Sequence, residues 1–438
     1  MKRNARKVVL DVLNKVDKGD YVSGVMQDIY KLDDLSDLDR NFISKIVYGV
    51  LEQRIYLDYV IRHFSSVRLK KIDGDILNIL RMGVYQFVFM DKVPDSAVVN
   101  ESVKLAKKAS HRHSGFVNAL LRNLMREGLD GIMPDKAKDP IKYYSVKYAH
   151  PEWMVSQFIR DFGETFAVDL MVANNESPKL TIRNNSLCQN REDLMTKLRE
   201  MKIDCDFSDI VEDGLVIDEG KQMNLLSNKL FLEGKFTVQD ESSMMVTQML
   251  DPQPGERILD LCAAPGGKAS HIGQRLKGQG QVVACDVSQN KIDLIHENIK
   301  RLNISGIITQ INDGLVLNET LVGAFDRVLL DAPCSGLGII RRKPDIKFNR
   351  QETDGLDLQE VQKTMMSHAG TYVKDQGILV YSTCTIDPRE NDQVIEWFLS
   401  EHKNFVLDQS IDVNPLKLYP NVDETDGFYC CRLKKIGV

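Results

Sequence analysis

Two cysteines in the second half of the chain each end an apolar run: Cys334 in "LLDAPCSG" and Cys384 in "ILVYSTCT", with Asp331 three residues before the first. A thiolate is a strong nucleophile once its pKa is lowered or a proton acceptor lies beside it. One chemistry that needs two thiols and a carboxyl group is substitution at carbon 5 of a cytosine. That carbon is a poor nucleophile towards a methyl donor. A thiolate added at carbon 6 makes the ring enamine-like, so that carbon 5 can attack. A carboxyl group near ring nitrogen 3, the place suggested for Asp331, stabilises such an adduct. The carbon 5 proton must then leave and the thiol be eliminated, which requires a base. The bland alternative is a pair of structural cysteines, since free cysteine is among the most buried residue types. Either thiol alone fits that alternative equally well; a pair beside a nucleotide pocket fits it poorly.

The nucleotide pocket is suggested by "ILDLCAAPGGKASHIGQRL", which reads as a strand, a small-residue turn and a helix. Such a turn, Cys262, Ala263, Ala264, Pro265, Gly266, Gly267 and Lys268, lets backbone approach a ligand and aims free N–H groups at it. Asp286 ends the next strand, 20 residues after Gly266, where an acid accepts hydrogen bonds from ribose hydroxyls. Asp313, at the end of the third strand, either contacts an adenine edge or simply forms the Asn312-Asp313-Gly314 turn. The turn is neither a GxGxxG nor a P-loop. NAD stays open as a ligand, without a hydride-transfer set to support it. Lys268 sits in the first turn of a helix, an awkward place for a cation, and this favours a role facing anionic groups or the substrate.

These residues need elements to position them. Strands are predicted at 257–261, 281–285, 307–312, 326–330 and 377–382, alternating with helices, and "GFYCCRLKK" adds a final antiparallel strand. This pattern predicts a parallel sheet with helices on both faces. Ligands of such sheets bind outside the carboxyl ends of the strands, near the switch in strand order. With the cofactor turn on the first strand, the fourth and fifth strands lie on its other side. Their ends then bring Asp331, Cys334 and Cys384 to one crevice. Of the adjacent Cys430 and Cys431, one is expected in the core and one exposed.

Ahead of this region, residues 142–233 read as a small α/β connector. Residues 1–135 read as an all-helical bundle, with Asp73 to Asp75 as the start of one helix and Ser114 as the cap of another. A length of 438 residues predicts two or three domains. The net charge of -6 hides an asymmetry: residues 1–126 hold 22 Lys and Arg against 15 Asp and Glu, and the remainder 35 against 48. A basic helical domain on an acidic chain suits a polyanion partner, although a solvated helical surface accounts for the excess too. There is no apolar run of membrane-helix length and no secretory pattern at the start. Eight cysteines without a CxxC pair fit reduced cytoplasmic thiols better than disulfides or a zinc site. No membrane association and no metal are expected.

The segments "VYGVLE", "VNESVKLAKK" and "SGFVNALLRNL" resemble the NusB family of RNA-binding helical domains. "QDESSMMV", "LDLCAAPGGK", "LLDAPCSGLGIIRRKPDIK" and "YSTCT" followed by "EN" resemble, in order, the RNA cytosine-5 methyltransferases. Together they resemble the RsmB (Sun/Fmu) branch over nearly the whole chain. The fold class this implies is multidomain: an all-α NusB-like bundle (1–135), a small α/β connector (142–233) and an α/β Rossmann-like methyltransferase domain (234–438).

The resemblance implies S-adenosyl-L-methionine held by Cys262 to Lys268, Asp286, Asp313 and Asp331. It also implies Cys384 as the nucleophile and Cys334 as the group that serves product release; DNA cytosine-5 methyltransferases use the equivalent of Cys334 instead. The implied partner is 16S rRNA or a small-subunit assembly intermediate, met by a monomer. Arg341, Arg342 and Lys343 are candidate phosphate contacts, or else a solvated basic turn. Leu337 departs from the threonine more common after "CSG", a change expected to affect local packing. Two rivals are a non-catalytic RNA-binding factor and an NAD-dependent dehydrogenase, in which the thiols would be idle.

Overall fold

The computed structural model describes residues 3–30, 32, 34–218 and 225–437. The chain divides into two compact units. One comprises the residues up to Glu176 together with Ile340–Gln351; the other comprises Ser177–Ile339 and Glu352–Val438.

The first unit is helical. Its helices include Ala5–Val16, Asp37–Glu52, Arg54–Phe64, Gly74–Phe89, Asp95–Ala109 and Ser114–Glu127. Apolar residues at helical spacing, such as Ile43, Ile46, Val47 and Val50, form one shared core. The helix Gly74–Phe89 starts within the expected Asp73 to Asp75 stretch, with Asp73 as its cap, accepting from the Asp75 amide. Ser114 does not cap. It is the first helical residue, and its hydroxyl donates instead to the His111 carbonyl at 2.8 Å. Helices Pro140–Tyr148, Glu152–Phe162 and Glu164–Ala173 also belong to this unit. The segment read as a connector, 142–233, therefore falls into both units.

The second unit holds two sheets. Strands β1 (Leu180–Asn184), β2 (Cys205–Phe207), β3 (Gly214–Ile217) and β4 (Phe236–Val238) form an antiparallel sheet in the order β2-β3-β1-β4. The larger sheet is built from β5 (Arg257–Asp260), β6 (Gln281–Asp286), β7 (Ile307–Ile311), β8 (Phe325–Asp331), β9 (Val373–Thr383), β10 (Phe405–Leu407), β11 (Leu416–Leu418) and β12 (Phe428–Lys435). Its order is β10-β12-β9-β8-β5-β6-β7, with β11 paired to β12. The pairs from β9 to β7 are parallel, and β12 is antiparallel to β9. The switch in order lies at β5, between β8 and β6, as the sequence pattern requires.

Cys430 and Cys431 are both fully buried, contrary to expectation, because β12 is covered on both faces. Cys431 packs in one core and Cys430 in the other.

Candidate active site

The cofactor turn follows β5 directly. Gly266 has φ +101° and closes the turn; an added Cβ there would meet Ile295 Cα at 3.3 Å. Backbone bonds fix the rest: the Ala263 amide donates to the Cys285 carbonyl at 2.8 Å, and the Ala264 amide to Asp286 Oδ2 at 3.0 Å. Gly267 opens helix Gly267–Leu276, and Pro265 is exposed at the turn. Burial, then the charge of Asp260, pushes the Cys262 thiol well above its ordinary range, so Cys262 is a neutral wall residue.

Acidic groups stand at the ends of β5, β6 and β7. Asp286 is buried and already accepts from the Val287 amide at 2.7 Å and Lys291 Nζ at 2.9 Å. Asp313 is exposed and accepts from the Leu315 amide at 2.9 Å, the turn-forming role weighed above. Asp260 was not singled out from the sequence. Its two carboxylate oxygens are covered and, among the described residues, lack a well-formed hydrogen bond. Burial and the charge of Asp331 push its pKa up to about 7. S-adenosyl-L-methionine presents an ammonium, two ribose hydroxyls and an adenine amine. A small-residue turn, a buried carboxyl group and two further acids fit that donor-rich ligand.

Across the switch point, β8 ends in Asp331, and Cys334 follows in the next loop. Lys268 reaches over from the cofactor helix, and its Nζ donates to Asp331 Oδ2 at 2.6 Å. Ser382 Oγ donates to Asp331 Oδ1 at 2.7 Å. The awkward lysine thus faces an anion. Burial alone would lower its pKa, but the charge and hydrogen bond of Asp331 outweigh this, with Asp260 and Cys384 adding to the rise. Lys268 is a cation within electrostatic reach of Cys384.

Cys334 Sγ and Cys384 Sγ lie 3.4 Å apart, so the two thiols do share one site. The Cys334 thiol is pushed well above its ordinary range, first by the hydrogen bond with Cys384, then by burial. The raised pKa favours the protonated form of Cys334, and either sulfur of the pair can be the donor in their contact. Backbone bonds join the two segments: the Gly338 amide donates to the Cys384 carbonyl at 3.1 Å, and Ala332 to Ser382 at 2.9 Å. Gly338 has no room for a side chain, since a Cβ would lie 2.0 Å from the Gly427 carbonyl oxygen. Leu337 is packed inside the loop at 1 % exposure.

Arg341, Arg342 and Lys343 lie in Ile340–Gln351, which packs with the helical unit. Arg341 is buried and Arg342 half-buried; of the three, Lys343 is exposed. Among the described residues, no cluster of His, Cys, Asp and Glu could hold a metal ion, and no helix is long and apolar enough to cross a membrane.

Comparison with known proteins matches three stretches of the chain to families. Residues 3–126 match the NusB family, 150–224 a ferredoxin-like domain of RsmF/B-like methyltransferases, and 247–434 the 16S rRNA methyltransferase RsmB/F family. The probable ribosomal RNA small subunit methyltransferase B of Bacillus subtilis is 35% identical, covering 100% of both chains. The corresponding enzyme of Photorhabdus laumondii is 32% identical, covering 99% of each. Among solved structures, that of PH0851 superposes with a TM-score of 0.85 at 25% identity, covering 99% of this chain and 100% of its own. A methyltransferase homolog from Pyrococcus horikoshii gives a TM-score of 0.61 at 28% identity, over 68% of this chain and 99% of its own.

Proposed function

This chain belongs to the RsmB/F family of small-subunit rRNA methyltransferases, and from that premise we propose that it methylates carbon 5 of a cytosine in 16S rRNA through a covalent Cys384 adduct. S-adenosyl-L-methionine is the cofactor, and when bound it supplies an electrophilic methyl group. Membership in this family replaces the dehydrogenase and the non-catalytic RNA-binding factor weighed above.

The observation that carries the proposal is the thiol pair itself: Cys334 Sγ and Cys384 Sγ lie 3.4 Å apart, in one site with Asp331. The Lys268 ammonium acts on Cys384 electrostatically, and a nearby cation favours a thiolate nucleophile. Cys384 Sγ bonds to carbon 6 of the ring, and Asp331, fixed by Lys268 and Ser382, stabilises the adduct at the nitrogen 3 edge. Once carbon 5 carries the methyl group, a base takes the carbon 5 proton as the bond between carbon 6 and Cys384 Sγ breaks and Cys384 leaves as a thiolate; Cys334 serves this exit step.

The target base must leave its stack to reach this site, which favours a single-stranded or loop cytosine. The helical domain, 1–135, binds RNA, and residues 234–438 carry the chemistry. Lys343 is the basic residue best presented to phosphate. The protein works as a cytoplasmic monomer on 16S rRNA or a small-subunit assembly intermediate.

Transfer of labelled methyl to undermodified small-subunit rRNA, followed by nucleoside identification, tests the reading. The expected product is 5-methylcytidine; any other methylated nucleoside overturns it.

A further inference from the structure

Two consecutive residues, Glu390 and Asn391, hydrogen-bond to the residues that flank the two thiols, Glu390 beside Cys334 and Asn391 beside Cys384. Glu390 is fully buried, and Asn391 is 4 % exposed. Glu390 Oε2 accepts from the amide of Ser335, the residue after Cys334, at 2.9 Å. The same oxygen accepts from Gln362 Nε2 at 2.8 Å, and Gln362 Nε2 also donates to the carbonyl of Pro333, the residue before Cys334, at 2.9 Å. The Ser335 hydroxyl donates to Glu390 Oε1. Both backbone neighbours of Cys334 are thus tied to one carboxylate.

Asn391 does the same for Cys384. Its Oδ1 accepts from Thr383 Oγ1 at 2.6 Å, and its Nδ2 donates to the Thr385 carbonyl at 2.9 Å. The two grips meet where Ser335 Oγ and Thr385 Oγ1 lie 2.8 Å apart. Tyr381 anchors the dipeptide itself, its hydroxyl donating to the Glu390 carbonyl at 2.6 Å.

We infer that Glu390 and Asn391 are positioning residues that divide the work between the thiols: Glu390 sets Cys334 for the exit step, and Asn391 sets Cys384 for attack. Neither touches the reacting atoms. Glu390 accepts from three donors, the Ser335 amide, the Ser335 hydroxyl and Gln362 Nε2; a glutamine there keeps one acceptor oxygen and presents an N–H in place of the other. The inference rests on the covalent reading of the site.

The test uses the full chain with undermodified small-subunit rRNA and labelled S-adenosyl-L-methionine, following adduct formation and adduct release separately in single turnovers. Glu390→Gln should form the adduct within about threefold of the wild-type rate and release it at least about tenfold more slowly. Asn391→Ala should form it at least about tenfold more slowly and release what forms at the normal rate. Slowing of the same step in both variants, or no change in either, overturns the inference. Where either variant fails to fold, Ser335→Ala and Thr383→Val remove one bond from each grip and carry the same expectations. A second readout is independent of RNA chemistry. Diamide oxidises the two thiols to a disulfide and is itself reduced to the hydrazine. Both variants should close the Cys334–Cys384 disulfide at least about tenfold more slowly than wild type, and unchanged closure refutes the grip. If the disulfide slows but no protein–RNA adduct forms in any variant, the covalent reading fails and the geometric claim stands.

Discussion

Lys268 Nζ lies 2.6 Å from Asp331 Oδ2, so the first turn of the cofactor helix is tied to the end of the neighbouring strand by an ion pair. The pair joins the two halves of the site, because Lys268 starts from the cofactor turn and Asp331 leads into the Cys334 loop. Lys268→Met leaves Asp331 with Ser382 as its remaining described donor and removes the cation that faces Cys384. Methyl transfer should fall by about 100-fold, with most of the loss in adduct formation. Single-turnover kinetics with saturating cofactor and rRNA check this; a variant that loses only cofactor affinity would contradict it.

Arg183 is fully buried on β1 and reaches the same helix from below. Its guanidinium donates to the Gly267 carbonyl at 2.7 Å and to Ser270 Oγ at 2.8 Å, and it also bonds Gln239. Burial pulls its pKa down to about 9, so the charge is held at a cost that these acceptors offset. Arg183→Met should destabilise the protein by about 3 kcal/mol through the partners left unpaired. It should also weaken S-adenosyl-L-methionine binding by about tenfold, since the turn loses its brace. Thermal unfolding and calorimetric titration measure the two effects separately.

His271, on the same helix, is 2 % exposed, and its Nε2 lies 3.1 Å from Asp213 Oδ2. Burial, then the charge of Arg183, lowers its pKa to about 4; Asp213 opposes this and Arg275 adds to it. The unfolded value is about 6.5. A depressed folded pKa gives stability that is present above the unfolded pKa and lost as pH falls towards the folded one. Between pH 6.5 and 5 the wild type should lose about 2 kcal/mol from this group. His271→Gln should lose correspondingly less, as denaturant unfolding at several pH values will show.

Lys347 is buried in the helical unit, its Nζ donating to Asn175 Oδ1 at 2.6 Å and the Glu52 carbonyl at 3.2 Å. Burial pulls its pKa down to about 7, against a smaller lift from Glu52. The unfolded lysine keeps its proton to about pH 10.4. Between these values the unfolded state binds more protons, so stability rises with pH. Lys347→Met should flatten that rise, measured by thermal unfolding between pH 7 and pH 10.

The strands and the switch point were legible because apolar runs bounded by turn residues report a parallel sheet directly. The two thiols and the cofactor turn were legible because their residue types and spacing carry chemistry. Glu390 and Asn391 stood in plain view after "YSTCT", yet the role of Glu390 depends on Gln362 and Ser335, which lie 28 and 55 residues from it. Arg183 was hidden for the same reason: a lone arginine in a short strand reads as exposed until a helix 84 residues later covers it. Cys430 and Cys431 misled because alternation predicts one open face, and β12 has none.

The central claim is that Cys384 attacks and Cys334 serves release. The most direct measurement is to react Cys334→Ala and Cys384→Ala variants with undermodified small-subunit rRNA and cofactor, then isolate covalent protein–RNA complexes and map the linked residue by mass spectrometry. Cys334→Ala should accumulate methylated RNA bonded to Cys384, and Cys384→Ala should accumulate none. A complex linked through Cys334 in the Cys384→Ala variant, with none in Cys334→Ala, would contradict the account.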